Sequence, residues 1–126
     1  MNENELCTHI IAAAIETHRC LGGPGLLESV YEEALVWELS ARGLVVSRQV
    51  ELPIIYKGNA LGASLRLDIL VEGLVILEVK ATSAYNPIFE SQLLTYLKLA
   101  NLRLGLVINF GERLVKDGIR RVVNGL

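Results

Sequence analysis

The hydrophobic and polar positions change period along the chain, and the changes mark where helices give way to strands. From Asn4 to Cys20, Leu6, Ile10, Ile11, Ala14 and Ile15 recur at helical spacing and form one apolar stripe. Leu21-Gly22-Gly23-Pro24-Gly25 then breaks the chain, because three glycines and a proline cannot continue a helix cheaply. This segment reads either as a plain turn or as a loop framing a site, and no G-K-[ST] follows to make it a phosphate loop. Leu26 to Arg42 predicts a second helix, with Leu27, Val30, Tyr31, Ala34, Leu35 and Leu39 inward and Gly43 as its stop.

The period then falls to two. Leu44 to Tyr56 predicts a strand with Val46, Arg48, Val50, Leu52 and Ile54 on one side, and Pro53 marks it as an edge strand or a bulged one. Lys57-Gly58-Asn59 supplies a turn. A strand over Ala60 to Val71 presents Leu65, Leu67, Ile69 and Val71 to one face and Arg66 and Asp68 to the other, and Leu74 to Lys80 completes a three-strand meander. Asn86-Pro87 reads as an N-cap and first-turn proline opening a helix to Ala100. Leu104 to Phe110 is a last apolar strand, and the intervening helix makes parallel addition beside the third strand the natural connection. The tail carries Arg113, Lys116, Arg120 and Arg121 among apolar residues; a solvated helix or edge strand is favoured over a nucleic-acid contact surface.

Candidate chemistry concentrates in Arg66 to Lys80. An ionised Glu78 inside the run Leu74 to Val79 loses several kcal/mol of solvation unless a cation or proton compensates it. Lys80 shares its face, and Asp68 lies within hairpin reach. A two-residue loop at Glu72-Gly73 would pair Asp68 with Leu77 and separate the acids. A three-residue loop with Gly73 left-handed puts Arg66, Asp68, Glu78 and Lys80 on one face, and this odd loop is the expectation. Glu28 stands at the margin of the second helix's stripe, as an exposed helix acid or as a ligand. Gln92 recurs with Phe89, Tyr96 and Leu99 at helical spacing, so its amide either bonds backbone groups or serves a site. Trp37 and Glu32 remain ambiguous by pattern.

Composition limits the partners. The 126 residues fit one domain, 1–126, and 52% hydrophobic with 6% aromatic residues predicts an aliphatic core. No apolar run approaches the roughly 20 residues of a membrane span, and the M-N-E-N-E start lacks a secretion signal, so a cytoplasmic location with no membrane partner is expected. Cys7 and Cys20 read as reduced thiols, and His9 and His18 as helix-surface or core-edge residues. The formal net charge of −2 is unlike a protein that grips duplex DNA through a broad basic face. An acidic metal site would, however, make the chain look more anionic than its loaded surface.

Together these residues resemble the GxxExxY family, a bacterial branch of the PD-(D/E)XK nuclease superfamily. Gly25-Leu26-Leu27-Glu28-Ser29-Val30-Tyr31 carries the naming motif, Asp68 follows Arg66, Glu78-Val79-Lys80 gives E-x-K, and Gln92 and Tyr96 form Q-x-x-x-Y. The resemblance implies an α/β restriction-endonuclease-like core: N-terminal helices, a three-strand meander, a helix and a further strand in a mixed sheet. It implies that Asp68, Glu78 and the Val79 carbonyl ligate Mg²⁺ or Mn²⁺, with Glu28 approaching from its helix. Lys80 would handle the attacking water and Gln92 would hold that water or a phosphate oxygen, while Tyr31 and Tyr96 give packing support. The implied substrate is nucleic acid, DNA ahead of RNA, with Arg48, Arg66, Lys98 and the C-terminal basic residues as phosphate contacts. Two other readings stay open. One is hydrolysis of a small nucleotide. The other is a non-catalytic interaction module, open to homodimerisation, in which Glu78 pairs with Lys80 and Asp68 with Arg66.

Overall fold

The computed structural model describes residues 1–126. Two helices lead, α1 (Glu3–Leu21) and α2 (Glu28–Ala41), followed by strands β1 (Val46–Tyr56), β2 (Asn59–Val71) and β3 (Val75–Lys80). Helix α3 (Ile88–Ala100) crosses to β4 (Leu104–Asn109), and a 3₁₀ turn (Val115–Gly118) leads into β5 (Ile119–Val123). The five strands lie in chain order in one sheet, all antiparallel except the β3–β4 pair. This is a mixed-sheet α/β fold consistent with a restriction-endonuclease-like core; of the tail's basic residues Arg120 and Arg121 lie on the edge strand β5, while Arg113 and Lys116 precede it in the bend and 3₁₀ turn.

The sheet separates two cores. Leu6, Ile10, Tyr31, Leu35 and Leu39 of α1 and α2 pack on Ile69, Val71, Leu77, Val79 and Leu106. Leu93 and Leu97 of α3 pack on Ile76, Val107 and Val122 of the other face. Helix α3 lies so close to β4 that a Cβ on Gly105 would stand 2.8 Å from the Leu93 side chain. The start of α3 follows the expected chemistry: the Asn86 side chain accepts from the Ile88 N–H at 3.0 Å, and Pro87 holds a helical φ of −58°. The inward stripe of α2 is narrower than expected. Tyr31, Leu35 and Leu39 are buried at a spacing of four, whereas Leu27, the N-cap residue, is 74% exposed and Val30 also faces solvent.

Two features of the meander set the site. First, Val71 pairs with Val75, leaving Glu72, Gly73 and Leu74 as a three-residue loop with φ of 54° at Glu72 and 65° at Gly73. The odd loop is therefore present. Second, β2 does not keep one face to one core. Ile69 and Val71 pack under α1 and α2, but Leu67, of the same parity, packs under α3. Val46 and Val50 of β1 divide in the same way. The switch falls at Gln49, whose φ is 53°, opposite Asp68, and these two are the one missing pair between Val46 and Pro53. The expected single face for Leu65, Leu67, Ile69 and Val71 is thus corrected by an irregularity that strand alternation does not reveal.

Candidate active site

The β2–β3 ladder extends only from Val71–Val75 to Ile69–Leu77. Beyond it β2 leaves β3 and continues with β1 as a two-stranded ribbon, so a gap opens beside Glu78, Val79 and Lys80. Asp68 stands at the head of this gap, where its Oδ2 accepts the Val79 N–H at 2.8 Å. A carboxylate thus replaces the backbone acceptor that a continued ladder would have supplied. The same register extrapolated by one pair sets Asp68 against Glu78.

Glu78 is only 8% exposed, and its Oε1 has no hydrogen-bond partner. Burial first, then the neighbouring Asp68 charge and a carboxyl-to-carboxyl hydrogen bond with it, push the Glu78 pKa up to about 9, against the opposing pull of Lys80. Lys80 forms no ion pair; its Nζ lies 4.6 Å from the centre of the Phe89 ring. Arg66 does not pair with Asp68 either, standing opposite Glu51 in the β1–β2 ladder. Neither the Glu78–Lys80 nor the Asp68–Arg66 ion pair of the interaction-module reading is present.

Glu28, the first residue of α2, lines an open cleft of about 400 Å³ together with Asp68, Glu32 and Gln49. Its carboxyl is raised by desolvation, lowered by Lys80, and raised again by Asp68 and Glu32, so it lies in the field of the same group. The structure gathers no three His, Cys, Asp or Glu side chains into a metal-binding group. A cation beside Asp68 and Glu78 would therefore rest on two carboxylates, with backbone oxygen and water completing its shell. That donor set suits Mg²⁺, which prefers few carboxylates and retained waters, and the orphaned Glu78 Oε1 is a free hard-oxygen donor.

On the other flank, Tyr96 of α3 has its hydroxyl pKa raised by burial and then by the charges of Glu78 and Asp68. Gln92, one helical turn earlier, is solvent-exposed, which removes the need for a buried backbone partner. Lys98 is exposed in the last turn of α3. Arg48 is engaged elsewhere: its Nε donates to the buried Glu32 at 2.9 Å.

Of three supporting side chains, the sequence left Glu32 ambiguous, gave Tyr31 packing support and did not single out Asn109. Glu32 accepts from both Arg48 and Gln49, the latter at 2.7 Å, and so ties α2 to the irregularity opposite Asp68. Asn109 is fully buried at the end of β4; its side chain donates to the Thr82 carbonyl and accepts the Thr82 and Gly111 N–H groups. This clamps the chain just after Lys80, and Gly111 is required there because a Cβ would meet the Thr82 carbonyl at 2.2 Å. A lone Asn closing the apolar run Leu104 to Phe110 was the available signal. Tyr31 works differently from a plain core residue. Its ring stacks on Phe110 at 4.7 Å, while its hydroxyl donates to the Gly23 carbonyl and accepts the Leu26 N–H. The loop before Glu28 is thereby fixed, with Gly25 at φ 110°. Cys7 and Cys20 are free thiols and His18 bonds the Phe110 carbonyl through Nε2, whereas Ile15, expected in the α1 stripe, is exposed. No helix is long and apolar enough to cross a membrane.

The mixed α/β sheet thus places Asp68, Glu78 and Lys80 where β2 diverges from β3. The profile of the PD-(D/E)XK nuclease superfamily matches residues 4–122, and the chain belongs to that superfamily. No curated protein and no solved structure matches it.

Proposed function

We propose that the chain is a divalent-metal-dependent nuclease of the bacterial GxxExxY branch, acting as one domain over 1–126 in the cytoplasm on nucleic acid, DNA ahead of RNA. The observation that carries this reading is Glu78: a buried carboxyl beside Asp68 with an unpartnered oxygen, and a lysine two residues on that does not neutralise it. Asp68, Glu78 and the Val79 carbonyl would hold Mg²⁺ or Mn²⁺, with Glu28 facing them across the cleft. Bound there, the metal supplies Lewis-acid polarisation of the phosphoryl oxygens and a more acidic water.

The chain's own groups do the rest. Lys80, held over the Phe89 ring, orients the attacking water and stabilises charge developing on the scissile phosphate. Gln92 reaches the water or a phosphate oxygen from the exposed face of α3. Arg66 and Lys98 are free to meet phosphates, whereas Arg48 contributes while also holding Glu32. Self-association as a homodimer is compatible with this site. The competing scaffold reading expected Glu78–Lys80 and Asp68–Arg66 pairs, and neither is formed.

Calorimetric titration of Mn²⁺ and Mg²⁺ into the wild type and Glu78→Ala tests the site without choosing a substrate. Binding that vanishes in the variant is expected. Cleavage of single-stranded and duplex DNA and RNA, with Lys80→Ala as the inactive control, then tests the chemistry. Lys80→Ala is expected to change stability by less than about 1 kcal/mol, since no ion pair is lost. A wild type that neither binds metal nor cleaves nucleic acid would sink the proposal.

A further inference from the structure

Three concavities follow one another along a single loop. Leu27, Glu28 and Ser29 line the acidic cleft with Asp68. Pro24, Gly25 and Leu26 line the next, against Ala81, Ser83 and Gly111 just past the ends of β3 and β4. Gly22 and Gly23 line the third, a pocket of about 400 Å³ whose other wall is the segment Arg113 to Lys116. The loop therefore runs as a track from the acid pair to a pocket of opposite charge.

That third pocket has an apolar floor, including Ile15, Leu114 and Val115, a rim carrying Arg19, Arg113 and Lys116, and no carboxylate in its lining. Arg19 is paired with Glu16 at 2.7 Å. Arg113 and Lys116 have no ion pair, no side-chain hydrogen bond and no aromatic partner. Most other cations are engaged: Arg42, Arg48 and Arg120 with acids, Arg103 and Arg121 in hydrogen bonds, Lys57 and Lys80 over rings. In a chain of net charge −2, two unspent cations at one pocket are available for an anion. Gly23 and Glu28, which line the two end pockets, are at most about 20 Å apart, the length of roughly six nucleotides of backbone.

We propose that Arg113 and Lys116 form a phosphate-binding subsite for the nucleic-acid backbone flanking the cleaved bond, reached along the segment Gly22 to Ser29, the α1–α2 loop and the start of α2. The apolar floor receives a sugar or base edge while the cations hold the phosphate. This deepens the nuclease reading and rests on it for the identity of the strand.

The test reads binding separately from cleavage. Anisotropy of a fluorescein-labelled 12-nucleotide DNA, single-stranded and as a duplex, is followed in chelator at several salt concentrations. The wild type is compared with Arg113→Ala/Lys116→Ala and with Lys57→Ala/Arg103→Ala, which removes the same charge elsewhere. The first variant is expected to bind at least about tenfold more weakly, with a salt slope smaller by about 2, and the second to bind nearly as the wild type does. Equal losses in both variants, no loss in the first, or no binding by the wild type would each overturn the subsite. Cleavage with metal by the wild type, measured in parallel, decides the nuclease reading on its own: a cleaving wild type with unaltered Arg113→Ala/Lys116→Ala binding retains the nuclease and removes the subsite.

Discussion

Glu78 carries two demands that normally conflict, burial and charge. In the folded chain its pKa is pushed up to about 9 against an ordinary 4.5, so between those values the folded state holds a proton that the unfolded state releases. Its contribution to stability is therefore complete below about pH 4.5 and declines as pH rises towards 9, by as much as about 1.4 kcal/mol per pH unit. Denaturant unfolding without metal should show this decline, and Glu78→Gln should flatten it. Metal must displace the same proton, so affinity should climb by up to about tenfold per pH unit across that window. A pH-independent stability shared by wild type and Glu78→Gln would mean that Glu78 is not held protonated. The acid pair was readable in the sequence because a carboxylate in an apolar run is an energetic anomaly. Arg48 was not, because its partner Glu32 sits on another element 16 residues away and no local spacing connects them.

At the scale of elements, the site depends on β2 leaving β3 at the right place. The three-residue loop was legible from parity, since only an odd loop sets Asp68 against Glu78. The switch of faces at Gln49 was not legible: the residue numbers still alternate, and a non-glycine residue at positive φ carries no sequence mark. Glu32 holds that switch through both Arg48 and Gln49. Glu32→Ala leaves Arg48 without its acid, but that side chain is 35% exposed and water recovers part of the loss. A destabilisation of about 1–2 kcal/mol is expected, smaller than for a fully buried pair. The diagnostic outcome is weaker Mn²⁺ binding by calorimetry in a variant that remains folded, because Asp68 loses its fixed neighbour. Unchanged metal affinity would show that the β1 irregularity does not position the site.

Across the whole molecule, the candidate ligands come from three separate elements. Asp68 belongs to the root of the β1–β2 ribbon, Glu78 to the central sheet and Glu28 to the start of α2, and the cores pack on opposite faces of the sheet. A cation held between Asp68 and Glu78 would bind the folded chain and not the unfolded one, so it should stabilise the whole domain. At a free concentration one hundred times its dissociation constant, the gain is about 2.7 kcal/mol. For a chain of 126 residues this corresponds to a rise in Tm of roughly 10 °C. Differential scanning calorimetry at neutral pH should show that rise with Mn²⁺ in the wild type and lose it in Asp68→Asn. The same rise in Asp68→Asn would locate the stabilising cation elsewhere. A rise dependent on Asp68 would tie the stability of the fold to its chemistry, since Asp68 and Glu78 face each other where the β2–β3 ladder stops.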